Sequence, residues 1–219
     1  MTPPRQTDRY AAEGVEAEFE PGSRGRVLRN LQGVRSVREM ARLESERLLA
    51  ATQRLIDDTE LEQRFLGEDI CRMHKLWLGE LYAWAGEYRQ VNIGKDGFMF
   101  AAAHLVPGLM QEFERGPLRD YTPCRYATAE EQGHALAVVH AELILIHPFR
   151  EGNGRCARLL ATLMGLQAGL PVLNFGGIRG EEKRRYIGAV HAAVGRDYTP
   201  MTTVFQRVIT HTLRTQQAF

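Results

Sequence analysis

His147-Pro-Phe-Arg-Glu-Gly-Asn-Gly-Arg-Cys-Ala-Arg158 joins two helical patterns. Upstream, Thr128–Ile146 reads as a strongly apolar helix, and Pro148 ends it, because the residue before a proline is pushed out of the helical region. Downstream, Gly152-Asn153-Gly154 opens a second helix that runs from about Asn153 to Ala168, closed by Gly169-Leu-Pro. Backbone N–H groups at such a turn and helix N-terminus form an anion nest. Arg155 and Arg158 lie one turn apart, so both side chains reach one face. Glu151 is a single hard carboxylate beside the nest. It suits a magnesium ion that keeps waters and binds phosphate oxygens. His147 is the side chain of this segment that accepts a proton near neutral pH. Together these are the parts of a phosphate site with a base and a metal clamp.

Helical periodicity extends to both sides. Val37–Ile56 carries Met40, Leu43, Leu48, Leu49 and Leu55 on one stripe, with Ser36 and Glu39 spaced as a capping box. Leu61–Trp84 reads as a long, aromatic-rich helical segment. His104–Phe113 is helical, Pro117–Ala127 is loop, and Glu181–Val194 and Thr202–Thr215 are the last helices. The pattern changes in Gln90–Phe100, where residues alternate and Asp96-Gly97 signals a hairpin turn. Residues 1–30, punctuated by Pro3, Pro4, Gly14, Pro21, Gly22 and Gly25, read as an irregular arm. The expectation is an all-α domain over 31–219 with one short β-hairpin.

Composition narrows the class further. The chain has 219 residues, 44% hydrophobic and 25% charged, which suits one ordinary globular domain. No run of ~18 apolar residues exists, so no spanning helix is expected. Lys+Arg 28 against Asp+Glu 27 lacks the basic excess of a dedicated nucleic-acid binder. Cys71, Cys124 and Cys156 form no CxxC pair, so neither a zinc site nor a disulfide framework is expected. No apolar signal-peptide core follows Met1. A cytoplasmic location is expected, although an effector exported without such a peptide would look the same.

The segment His147–Arg158 matches HPFx(D/E)GNGRxxR, the signature of the Fic family, at every defined position, and the chain resembles that family over roughly residues 60–210. The resemblance implies an all-helical fold with one hairpin, the flap, which docks a target protein; Arg89–Phe100 looks like it. It also implies transfer of AMP from ATP to a Ser, Thr or Tyr hydroxyl of a protein, with release of pyrophosphate. In that reading His147 is the base and Phe149 anchors the loop. Glu151 holds Mg2+, and Gly152, Asn153 and Gly154 form the anion hole. Arg155 and Arg158 pair with the outer phosphates. Tyr186 is a candidate for the adenine pocket, with an ordinary helix position as the alternative. Asn92 and Ile93 are the flap positions for backbone pairing. Lys95 and Phe98 either touch the target or are ordinary hairpin residues.

Family branches with other donors differ at two positions. Doc-type kinases carry Lys at the position of Gly154, and a phosphocholine-transferring branch carries Ala at that of Gly152. Many relatives are silenced by a helix with (S/T)xxxE(G/N), whose Glu pairs with the second motif arginine, here Arg158. The nearest stretch is Glu13-Gly14, but Arg9 stands where Ser or Thr should be. The implied biology is a toxin held by a separate small helical antitoxin bearing that motif. In related stand-alone toxins the targets are ATPase subunits of type II topoisomerases. The alternatives are a same-fold transferase using UMP or GMP, or a non-catalytic nucleotide sensor. His134 and His140, six apart, do not share a helical face and read as polar residues of the domain. Trp77, Tyr82 and Trp84 read as core.

Overall fold

The computed structural model describes residues 11–12, 16, 18–95 and 97–216. Helix α1 spans Val37–Asp58 and α2 Gly67–Leu78; a three-stranded sheet contains β1 (Ala11–Ala12), β2 (Ile93–Lys95) and β3 (Phe98–Met99). The helices α3 (Val106–Phe113), α4 (Arg119–Tyr121), α5 (Ala129–Ile146), α6 (Asn153–Gln167), α7 (Glu181–Ala193) and α8 (Thr199–Gln216) complete the element order. The architecture is helical with one hairpin, as the periodicities require.

Helix α5 is the pillar. It is apolar on nearly every face, the pattern of a helix surrounded by others, and it packs against α6, α7, α8 and α3. A reciprocal cap starts it: the Thr128 hydroxyl accepts the Glu131 N–H, and the Glu131 carboxylate accepts the Thr128 N–H at 3.1 Å. At the N-terminus of α1 half of that pattern forms, with Ser36 Oγ accepting from Glu39 N at 3.4 Å. A second cluster, with Val27, Met40, Trp77, Leu81 and Tyr82, lies between α1, α2 and the chain before them.

Two segments differ from their sequence reading. Leu61–Trp84 is not one helix: α2 starts at Gly67, where Asp69 Oδ2 takes the Leu66 N–H at 2.9 Å, and it ends before Gly79. Leu81 and Tyr82 are buried in the turns beyond, so their apolar spacing reflects burial without helical period. Pro117–Ala127 is not all loop. The chain runs from α3 through one π-helical turn, Glu114–Leu118, into α4. The wider turn accommodates Pro117, and Leu118, fully buried, draws the segment onto the core.

The sheet also differs. β2 pairs with β3 as the alternation predicts, with Gly94 opposite Met99, and Gly97 turns the chain at φ +80°. Asp96 of the turn signal lies outside the described residues. On its other side β2 pairs with β1, Ala11 opposite Gly94 and Ala12 opposite Ile93. Glu16 fastens this arm: its carboxylate accepts from Gln90 N at 3.2 Å and its carbonyl from Arg150 Nε at 2.9 Å. The β2 edge expected to be open for a target strand is thus covered by the chain itself, and among the described residues β1 and β3 are the outer strands. Glu13, Gly14 and Arg9, compared above with the inhibitory motif, fall outside the described residues.

Candidate active site

The loop between α5 and α6 is held by its own residues. His147 caps α5 in the left-handed region at φ 52°, a conformation rare for a residue with a side chain. The chain then reverses, and Asn153 straps it: Asn153 Oδ1 accepts from Phe149 N at 2.8 Å while Asn153 Nδ2 donates to Phe149 O at 2.7 Å. Asn153 thus spends its amide oxygen and one amide hydrogen on this strap. The Phe149 ring is fully buried and stacks on His74 with centroids 3.9 Å apart. His74 in turn receives the Gly86 N–H on Nδ1 at 2.9 Å, so its Nε2 carries the proton and donates to Glu151 O at 3.0 Å. Gly152 begins α6 at φ +83°, and a Cβ there would lie 2.7 Å from the Trp77 ring. Only glycine fits that turn against that ring.

The His147 ring is fixed in tautomer as well as position. Its Nδ1 lies 2.8 Å from the Ile144 carbonyl, so Nδ1 carries the hydrogen and Nε2 is the acceptor atom. The ring stacks on Phe100 at 3.6 Å, which places the end of the hairpin against it. Burial lowers its pKa to about 3, so the imidazole is neutral across the physiological range, with Nε2 unprotonated. Arg89 secures the main chain of the same residue. Its buried guanidinium donates to the carbonyls of His147 at 2.7 Å, Val91 at 2.8 Å, Ile146 at 3.3 Å and Ala101. One cation thus ties the base of the hairpin to the end of α5.

His147, Glu151, Gly152, Gly154, Arg155 and Arg158 line a single cavity of about 580 Å³. Tyr186 lines it from α7, and its hydroxyl lies 2.8 Å from His140 Nε2. Of the four flap residues singled out in the sequence, Lys95 and Phe98 line the cavity. Asn92 and Ile93 do not: Asn92 Oδ1 takes the Ala103 N–H at 2.9 Å, and Ile93 is fully buried. Glu151 Oε1 accepts from Gly152 N at 3.0 Å and lies 3.4 Å from Arg155 Nη2. The guanidinium of Arg155 sits 4.5 Å above the Trp77 ring, and its Nη1 donates to Glu44 Oε2 at 2.7 Å. Trp77 is core, as expected, and also the floor beneath a motif arginine.

Glu44, His74 and Arg89 are the members of this arrangement that sequence reasoning missed. Their partners lie 111, 77 and 58 residues away along the chain, so no local spacing marks them.

Buried histidines have a measurable consequence. Burial lowers His74 to about 4 and both His140 and His147 to about 3, against 6.5 for the unfolded chain. Below 6.5 the unfolded state takes up protons that the folded state refuses, so stability falls with pH through this window toward the folded values. Urea unfolding should show the fold at least about 1.4 kcal/mol weaker at pH 5 than at pH 7. Equal midpoints at the two pH values would contradict these neutral rings.

Residues 65–164 match the model of the Fic/DOC family. Over 143 residues the chain is 29% identical to "Protein adenylyltransferase VbhT" of Bartonella schoenbuchensis, covering 65% of this chain and 30% of that protein. Over 111 residues it is 32% identical to "Protein adenylyltransferase Fic" of Drosophila willistoni, covering 48% and 20%. The chain thus spans a third or less of the length of these curated relatives. Among solved structures, the fold resembles BepC of Bartonella tribocorum, a VirB-translocated effector crystallised with AMPPNP. There the TM-score is 0.67 at 20% identity, covering 83% of this chain and 91% of that one. The segment that matches the Fic/DOC family model contains α2, the hairpin, α5 and the His147–Arg158 loop.

Proposed function

We propose that the chain is a protein adenylyltransferase that moves AMP from ATP to a hydroxyl of a target protein. The observation that carries this reading is the geometry of His147: a neutral imidazole with its hydrogen fixed on Nδ1, in one cavity with a glycine-lined helix N-terminus and two arginines. A base poised to take a proton beside an anion site is what hydroxyl attack on a phosphoryl group needs. Nε2 takes the proton of the target hydroxyl, the oxygen bonds to the α-phosphorus, and the bond to pyrophosphate breaks. The N–H groups at the start of α6 and the Arg155 and Arg158 side chains face the charge that develops on the phosphates. The adenylyltransferase names of the relatives support the same reading.

Glu151 fits a magnesium site. It is a single carboxylate lining the cavity, and among the described residues no group of three His, Cys, Asp or Glu side chains could hold a metal by itself. That donor set suits an ion that keeps most of its waters and takes phosphate oxygens; the ion would neutralise phosphate charge. Glu151→Ala should reduce transfer of label from α-labelled ATP by about 100-fold or more, on the scale of losing one electrostatic stabiliser. The Mg2+ dependence of ATP binding should disappear with it. A variant that keeps both at the level of the unaltered protein would remove Glu151 from the metal site.

The toxin reading, with control by a separate antitoxin and a topoisomerase subunit as target, is part of the same proposal. Growth arrest on expression of the unaltered chain, relieved by co-expression of a small helical partner, supports it. Unimpeded growth with active protein in the cell rejects it.

A further inference from the structure

We propose that Glu44, on α1, is a positioning residue that sets Arg155 for the outer phosphates of a bound nucleotide. The inference deepens the AMP-transfer reading and rests on it for the nucleotide. Glu44 lies outside the motif and outside the stretch matched to the family. Its side chain is 4% exposed, and that of Arg155 19%. Burying a carboxylate in a helix–helix contact is costly, and apolar side chains commonly fill such places without loss of stability. Here the carboxylate is fully used. Oε2 accepts from Arg155 Nη1 at 2.7 Å and Oε1 accepts the Tyr82 hydroxyl at 2.8 Å. The main-chain oxygen of Glu44 takes the Trp77 indole N–H at 2.8 Å, so Trp77 is locked by the residue that locks Arg155.

The result is a guanidinium fixed in plane and in edge. Trp77 sets the plane from below, and Glu44 holds one Nη. A guanidinium has five N–H donors in a rigid fork, and contacts to Glu44 and Glu151 leave several in a side chain that lines the cavity. A cation already oriented has no reorganisation to make when phosphate arrives. This is not the inhibitory pairing considered above. Met40 stands four residues before Glu44 and Ser45 follows it, so the motif is absent, and the partner is Arg155 rather than Arg158.

The test is binding of ATP and of AMP, measured by calorimetry with Mg2+ on the full chain. Glu44→Gln keeps an acceptor for Tyr82 but removes the charge. It should weaken ATP by about tenfold and leave AMP unchanged, because AMP has no outer phosphates. Arg155→Ala should weaken ATP at least as much, and the double variant should be no weaker than Arg155→Ala alone, since both changes act through one side chain. Should Glu44→Gln fail to fold, Glu44→Asp, which keeps the charge but withdraws it from Nη1, should give the same ATP-only loss. Unchanged ATP affinity in a folded variant overturns the proposal. So does an equal loss for ATP and AMP, which marks a merely structural pair, or a gain for ATP, which marks a competing carboxylate. An unaltered chain that binds ATP but transfers no AMP overturns the transfer reading and leaves the positioning role standing.

Discussion

His147→Ala is expected to lower AMP transfer by about 10²- to 10⁴-fold, the usual contribution of a positioned base. ATP affinity should stay within about twofold, because in the proposed reaction the imidazole acts on the target hydroxyl and its loss removes an interaction made in the transition state. The substitution leaves the loop's own fastenings in place: Asn153 still straps Phe149, and Arg89 still holds the main-chain carbonyl of residue 147. Radiolabel transfer and calorimetric ATP binding, run on one preparation, separate the two effects. A fall in ATP affinity as large as that of an Arg158 variant would place His147 among the nucleotide ligands instead.

Phe149→Ala is the second large effect, and its first readout is stability. The ring has no exposed surface and stacks on His74 at 3.9 Å, so its loss leaves a cavity under the loop. Replacing a buried Phe by Ala costs about 3–5 kcal/mol. For a chain of this size that is on the order of a 10 °C drop in melting temperature. Activity should fall further than the folded fraction alone explains. His74 holds Glu151 through its carbonyl, and Phe149 shares backbone hydrogen bonds with Asn153 at the start of α6. A drop of under 1 kcal/mol in chemical denaturation would mean that the loop does not depend on this anchor.

What was legible in the sequence follows the range over which the physics acts. Helix α5 and the turn at Gly152 were readable because apolar composition, Pro148 and the Gly-Asn-Gly run are local signals. The hairpin was readable from alternation over Gln90–Phe100, but its third strand was not. Ala11 and Ala12 carry no period, and their pairing partners lie more than eighty residues away. Aromatic spacing in Leu61–Trp84 suggested one helix. The fold breaks it after Leu78 because Leu81 and Tyr82 pack against α1 and Val27. In the site, the motif residues share one cavity because they share one loop and the first turns of one helix. Glu44, His74 and Arg89 reach it from other elements, through contacts that only the closed tertiary structure creates.

The backbone at Gly152 limits what single substitutions can do to this protein. Its φ of +83° penalises any side chain, and a Cβ would strike the Trp77 ring at 2.7 Å. Shrinking Trp77 to make room would strip the aromatic face from beneath Arg155 and the indole donor from Glu44. No one-step path therefore leads from this loop to one with a side chain at 152: the first change, in either order, passes through a protein with a strained turn or an unsupported arginine. Exchange of the donor group through this position would have to arrive as a coordinated set of changes on α1, α2 and α6. Libraries that vary 44, 77, 152 and 155 together are the ones with a chance of finding it.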